Sequence, residues 1–147
     1  MSDSPKPRKL VVAGLIVEGD SVLITQRPPG GSLSLKWEFP GGKIEPLESP
    51  EQALIRELEE EIAVRVEVGH IWDVLHHPYP DFELLMLVYF CQLEDGQTPS
   101  CREVESLSWV TAESIGDFDI LEADRPLVQR IQREGVPFFC ASLRVPG

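Results

Sequence analysis

The stretch GGKIEPLESPEQALIRELEEEIAV, residues 41–64, changes character at Ser49. Ahead of it, paired glycines leave backbone exposed near Gly41 and Gly42, where a ligand can approach closely. From Ser49 onward the residues are those of a helix start: serine at the cap, Pro50 at the first helical position and Gln52 three residues after the cap. A helix is predicted over about Pro50–Ile62. Leu54, Leu58 and Ile62 recur at four-residue spacing with Ile55 on the same face, a stripe suited to docking on a sheet. The other side carries the acids. Glu57, Glu60 and Glu61 stand at i, i+3 and i+4, so their carboxylates project as neighbours, while Glu59 points elsewhere.

Three like charges this close repel, and the arrangement is unfavourable unless a cation, an arginine or protonation relieves it. Arg56, four residues before Glu60, offsets part of the repulsion. Hard oxygen donors with no His or Cys near in sequence suit magnesium or manganese rather than zinc. The same pattern also describes an ordinary solvated acidic face, and the helix alone leaves both readings open.

The surrounding sequence is that of an α+β domain. KLVVAGLIVEGDSVLITQR reads as two strands, Leu10–Val17 and Val22–Gln26, around a turn at Glu18–Asp20. PPGGSLSLK, residues 28–36, is a loop that leads through WEF to the glycine pair. After the helix, Val64–His77 alternates as a strand, HPYPD (77–81) is a turn, and Phe82–Leu93 is apolar enough for a central strand. A shorter strand, Leu107–Val110, leads to Thr111, an N-cap candidate. ADRPLVQRIQREG then carries a helical stripe of Leu127, Val128 and Ile131 that ends at Gly135. Strands and helices mixed without regular βαβα alternation indicate a mixed β-sheet flanked by helices, an α+β or layered α/β/α arrangement.

At 147 residues the chain fits one core, and its 42% apolar and 26% charged residues exclude a disordered or collagen-like class. Residues 1–8 are expected to be a flexible N-terminal tail, 9–135 the domain, and 136–147 a C-terminal tail packed on it. The formal net charge of -12 opposes binding to phosphate backbones, so nucleic acid is not an expected partner. A small polyphosphate remains admissible where divalent cations stand between it and the carboxylates. Cys91, Cys101 and Cys140 show no C-x-x-C spacing, so neither a disulfide framework nor a zinc knuckle is expected, and a reducing cytoplasm is the simplest location. No run has the length of a membrane span, so no membrane partner is expected, and a monomer or homodimer is. His76 and His77 are adjacent on a strand and point to opposite faces, which makes them poor joint ligands.

The context of the acidic helix resembles the Nudix box, G-x5-E-x7-R-E-U-x-E-E-x-G-U with U a bulky aliphatic residue. Gly42, Glu48, Arg56, Glu57, Leu58, Glu60, Glu61 and Val64 fill eight of its nine specified positions across 23 residues. Ala63 stands where the family has glycine; if it is the left-handed C-cap, alanine costs about 1 kcal/mol there. ITQR, WEFPGG, SLSWV and LEADRP extend the resemblance to the MutT-like branch over roughly Leu10 to Arg133. EPLESPEQALIREL and LEADRP also resemble the CTP pyrophosphohydrolase branch.

That resemblance implies a Nudix fold and a hydrolase of nucleoside diphosphates linked to a further group, with bound Mg2+ or Mn2+ offsetting the polyphosphate charge and activating water. It implies the Gly41 carbonyl, Glu57 and Glu61 as metal ligands, with Glu60 assisting at the metal. Glu48, paired with Arg56, orients the helix acids. Glu57 is the implied general base. Glu103, six residues before Trp109, is a further metal ligand or an alternative base, with Glu105 close by in sequence. Arg27 matches a position that contacts phosphate or sugar, and Glu38 and Phe39 match the stretch lining the nucleotide pocket. Asp124 falls where the branch has an asparagine that reads the purine edge. An ionised Asp only accepts hydrogen bonds, so unless burial raises its pKa, Asp124 favours bases presenting N–H donors, as guanine and cytosine do.

The implied activity is metal-dependent cleavage of a (deoxy)nucleoside triphosphate, oxidised or modified like 8-oxo-dGTP or a cytosine nucleotide, to the monophosphate and pyrophosphate. Hydrolysis of a nucleoside diphosphate sugar or dinucleoside polyphosphate is the enzymatic alternative. A non-catalytic nucleotide-binding Nudix module is the alternative from another class, and the intact, mutually repelling acids argue against it. Tyr79 and Pro80 read as turn residues rather than substrate markers.

Overall fold

The computed structural model describes residues 6–31 and 33–138. Strand β1 (Arg8–Glu18) organises the sheet, because its alternating side chains divide between two cores. Val12 and Ile16 face one side, where they meet Leu54, Leu58 and Ile62 of helix α1 (Pro50–Ile62). Ala13, Leu15 and Val17 face the other, with Leu127, Val128 and Ile131 of helix α2 (Arg125–Glu134). One helix therefore covers each face of a mixed sheet, the layered α/β/α form of an α+β fold.

β1 turns through Gly19 into antiparallel β2 (Ser21–Gln26), with Val17 opposite Val22. On its other edge it runs parallel to β6 (Glu83–Leu93), in register from Arg8 opposite Glu83 to Ile16 opposite Cys91. β5 (Val66–Pro78) is the outer strand, antiparallel to β6, with register shifts between Val68 and Asp73. Two very short strands complete the centre: β3 (Trp37–Glu38) pairs β2, and β4 (Gly41–Lys43) pairs β1 with Gly41 opposite Ala13. β7 (Ser106–Val110) lies on the free edge of β2. No helix of the described residues is long and apolar enough to cross a membrane.

The predicted elements are present, with local differences that have physical causes. β1 begins at Arg8, two residues before Leu10, because Arg8 is tied to Glu83 by an ion pair at 2.9 Å. β5 begins at Val66 because Ala63 takes the left-handed conformation (φ 58°, ψ 41°) and its N–H donates to the Glu59 carbonyl at 3.1 Å, closing α1 first. Ile55 does not join the docked stripe: it is 41% exposed, and Ala53 is buried instead. Thr111 and Ser114 bond each other's backbone N–H groups, but only a 3-10 turn follows, Ile115–Asp117, whose N-cap is Ser114 rather than Thr111 and makes no side-chain cap bond. β3 and β4 are additions to the expected strands, since two or three residues carry no readable alternation. Of the C-terminal segment, Val136 packs against the core and Phe138 is exposed; the rest of the expected packed tail, from 139 on, lies outside the described residues, as do residues 1–5.

Candidate active site

The start of α1 is built as the sequence specifies. Ser49 Oγ accepts from the Gln52 N–H at 3.1 Å and the Gln52 side chain accepts from the Ser49 N–H at 2.9 Å, so two otherwise orphaned donors are satisfied reciprocally. With Leu54, Leu58 and Ile62 docked, Glu57 and Glu61 are turned toward β4. Glycine is required where they pass: a Cβ on Gly42 would collide with the Glu57 carboxylate, and one on Gly41 with the backbone of Val12 and Ala13. The glycine pair is thus a window: Gly42 leaves room for the Glu57 carboxylate and Gly41 for the close approach of β1.

Arg56 binds this window together. Its Nε and Nη2 donate to the two oxygens of Glu48 at 2.7 and 2.9 Å, Nη2 also to the Lys43 carbonyl at 3.0 Å, and Nη1 to Glu57 at 3.0 Å and Glu60 at 3.3 Å. The Arg56 hydrogen bonds, with one from the Glu45 N–H, pull the Glu48 carboxyl down to about 2. One guanidinium therefore links the loop before α1, strand β4 and two helix acids.

The far end of α1 delivers another acid. The Glu61 carbonyl accepts from the N–H groups of Arg102 and Glu103 at 3.0 and 3.1 Å, and the Ile62 carbonyl from Ser100 at 2.9 Å. These last-turn carbonyls lack helical partners, so the loop after β6 is clamped by filling them. Glu103 then lines the same cleft as Glu57 and Glu61, whereas Glu105 donates its N–H to the Gln26 carbonyl and is not part of the lining.

The cleft encloses about 570 Å³. Burial raises the Glu57 carboxyl, opposed by Arg56 and reinforced by Glu60 and Glu103. Glu61 is pushed up to about 8, first by burial, then by the charges of Glu57, Glu38 and Glu103, against a hydrogen bond from the Gly41 backbone. Further along, Arg27 Nη1 meets both oxygens of Glu38 at 3.3 Å, and burial raises Glu38 in spite of it. At the inner wall Asp124 is only 2% exposed and accepts from the Phe39 N–H at 2.9 Å. Burial pushes its carboxyl up to about 7, opposed by the Phe39 hydrogen bond and Arg27 and helped by Glu38. At neutral pH it therefore populates a protonated form that donates as well as accepts, as an asparagine does.

Gly41, Glu57, Glu61, Glu103, Arg27, Glu38, Phe39 and Asp124 all line this one cleft. Glu48 and Arg56 stand behind it, and Glu60 faces a separate shallow depression with Arg56 and Ile55. Among the described residues no three acid, His or Cys side chains stand close enough to enclose an ion as placed. The chemistry of the set nevertheless fits a hard dication: the carboxylates of Glu57, Glu61 and Glu103 interact, repel one another and are held apart. A Glu61 carboxyl pushed up to about 8 would surrender its proton to such an ion. Lys9, Lys43 and Phe82 also line the cleft with no local signal in the sequence to place them there, and Tyr79, a turn residue by sequence, joins them. Tyr79 stacks on Phe82 at 4.8 Å, a cross-turn contact that the turn residues HPYPD conceal.

The family model described as the NUDIX domain matches residues 7–131. The 8-oxo-dGTP diphosphatase of Escherichia coli (strain K12) is 30% identical over 128 residues, covering 86% of this chain and 98% of that protein. The CTP pyrophosphohydrolase of the same strain is 33% identical over 120 residues, 81% of this chain and 87% of that one. Among solved structures, the MutT protein of methicillin-resistant Staphylococcus aureus 252 has 34% identity and a TM-score of 0.70, covering 88% of this chain and 99% of that one.

Proposed function

The chain belongs to the Nudix family and is a MutT-like hydrolase, and from that premise we propose that it cleaves a nucleoside triphosphate to the monophosphate and pyrophosphate with the help of Mg2+ or Mn2+. The observation that carries this reading is that Glu57, Glu61 and Glu103 line one cleft together with Arg27, Phe39 and buried Asp124. Gly41 through its carbonyl, with Glu57, Glu61 and Glu103, would hold the metal. When bound, the metal offsets charge on the polyphosphate and acidifies water.

Glu57 takes the proton of the attacking water, and its raised carboxyl pKa brings it nearer to that task than an ordinary glutamate. Arg56, fixed by Glu48, bonds Glu57 at the cleft and Glu60 at the neighbouring depression. Arg27, restrained by Glu38, meets the phosphate or sugar, and Phe39 and Asp124 receive the base. The reaction so read belongs to a cytoplasmic enzyme acting on free nucleotides, in keeping with a net charge of -12 that disfavours nucleic acid.

The test is pyrophosphate release from unmodified and oxidised nucleoside triphosphates, with nucleoside diphosphate sugars and dinucleoside polyphosphates as comparison, with and without Mg2+. Triphosphates should release pyrophosphate only with the metal. Glu57→Gln and Glu61→Gln should each lower kcat by about 100-fold or more in chains that still give the native circular dichroism spectrum. Full turnover in both variants at saturating Mg2+ would remove the metal assignment, and formation of mononucleotide from the sugars or dinucleotides alone, with sugar phosphate as the other product from the sugars, would replace the substrate class.

A further inference from the structure

The end of the cleft remote from the acids carries a cation that the reaction above does not use. Lys9 stands on the same face of β1 as Val11 and Ala13, and all three line the cleft. Ala13 is opposite Gly41, so Lys9 lies four residues, or about 13 Å at about 3.3 Å per residue, beyond the level of the acids. The cleft's other cations, Arg27 and Lys43, belong nearer that level: Lys43 pairs with Val11, and Arg27 is bound to Glu38. Lys9 Nζ lies 4.0 Å from the centroid of the Phe82 ring, and Phe82 stacks on Tyr79. Among the described residues the aromatic ring, rather than a carboxylate, is the partner of this ammonium, which leaves its donors to face a ligand.

An ammonium donates and never accepts, so it attracts a carbonyl oxygen and opposes an amino group. Nucleobases divide on this point: guanine carries O6 and thymine or uracil O4 as acceptors, where adenine and cytosine carry N6 and N4 amino donors. Resting on the nucleotide reading above, we propose that Lys9 is a specificity-determining residue that selects nucleotides whose base presents a carbonyl oxygen at that edge over those presenting an amino group. The N–H adjoining that carbonyl in guanine and uracil is a donor that Asp124, on the same cleft, can accept. The chain is thereby assigned to guanine-class or uracil-class nucleotides rather than cytosine nucleotides.

The experiment measures equilibrium binding of GMP, UMP, AMP and CMP to the wild-type chain, Lys9→Met and Lys9→Arg, with steady-state hydrolysis of GTP and CTP alongside. Methionine keeps an unbranched chain over Phe82 and removes the charge. Wild type should bind GMP and UMP about tenfold or more tightly than AMP and CMP, a ratio in keeping with one charge-assisted hydrogen bond. Lys9→Met should collapse the ratio to about threefold or less by weakening only the carbonyl-bearing pair, and raise KM for GTP with kcat held. Lys9→Arg should restore the preference. A wild type without preference, or an equal weakening of all four ligands by Lys9→Met, overturns the proposal. Preferential binding without pyrophosphate release would sink the hydrolytic reading and leave this selectivity standing.

Discussion

Replacing Asp124 by asparagine should make the protein relatively more stable as the pH rises. The carboxyl titrates near 3.8 when exposed and at about 7 in its folded position, chiefly because burial disfavours its charge. Between those values the folded state holds a proton that the unfolded state has released, so stability falls as pH rises through this window and the loss is complete above about pH 7. At about 1.4 kcal/mol for each pH unit between the two, ionising Asp124 in place costs on the order of 4 kcal/mol. The asparagine side chain would stay neutral throughout, with its carbonyl still able to accept from the Phe39 N–H. The difference in unfolding free energy between Asp124→Asn and wild type should therefore move by roughly 2–3 kcal/mol in favour of the variant between pH 5 and pH 8. Urea unfolding at both pH values measures it, and other titrating groups cancel in the comparison. A difference that stays constant within about 0.5 kcal/mol would show that Asp124 ionises without penalty and would refute the reasoning from burial.

Other substitutions probe separate parts of the site. Ala63→Gly relieves a left-handed alanine at φ 58° and should stabilise by about 1 kcal/mol, raising Tm by about 2–4 °C in calorimetry with activity unchanged. Gly42→Ala drives a methyl group into the Glu57 carboxylate; kcat should fall by about 100-fold, as for a small displacement of a reacting group, while circular dichroism remains native. Glu48→Gln removes a carboxyl held down to about 2 by Arg56. That carboxyl contributes stability above its unfolded pKa near 4.5, which is lost as pH falls toward 2, so Tm of the variant should vary less over this acid range than that of wild type.

The stretch from Gly41 to Val64 determined by itself a helix, its cap, its docked stripe and the identity of the acids, because each depends on spacing within one or two turns. The same locality explains where it stops. Ile55 has the right residue type and nearly the right angle for the stripe, but it is the sheet's position that decides which side is covered, and Ala53 is buried in its place. Glu60 stands beside Glu57 and Glu61 on any helical projection; in the fold it bonds Arg56 and lines a depression separate from the cleft, a placement that spacing alone does not give.

Only the tertiary structure decided which residues far apart in sequence share the cleft. Glu103 is brought in because the last carbonyls of α1 need donors, and Asp124 because the Phe39 N–H needs an acceptor. Tyr79, Phe82 and Lys9 arrive through the parallel pairing of β1 with β6, a contact between strands more than 70 residues apart. Charge state followed from placement too: Asp124 is an ordinary acid in the sequence and a carboxyl of about 7 in its buried position. Residue type and spacing set what each side chain can do; burial and neighbours, which are properties of the folded chain, set which of those things it does at neutral pH.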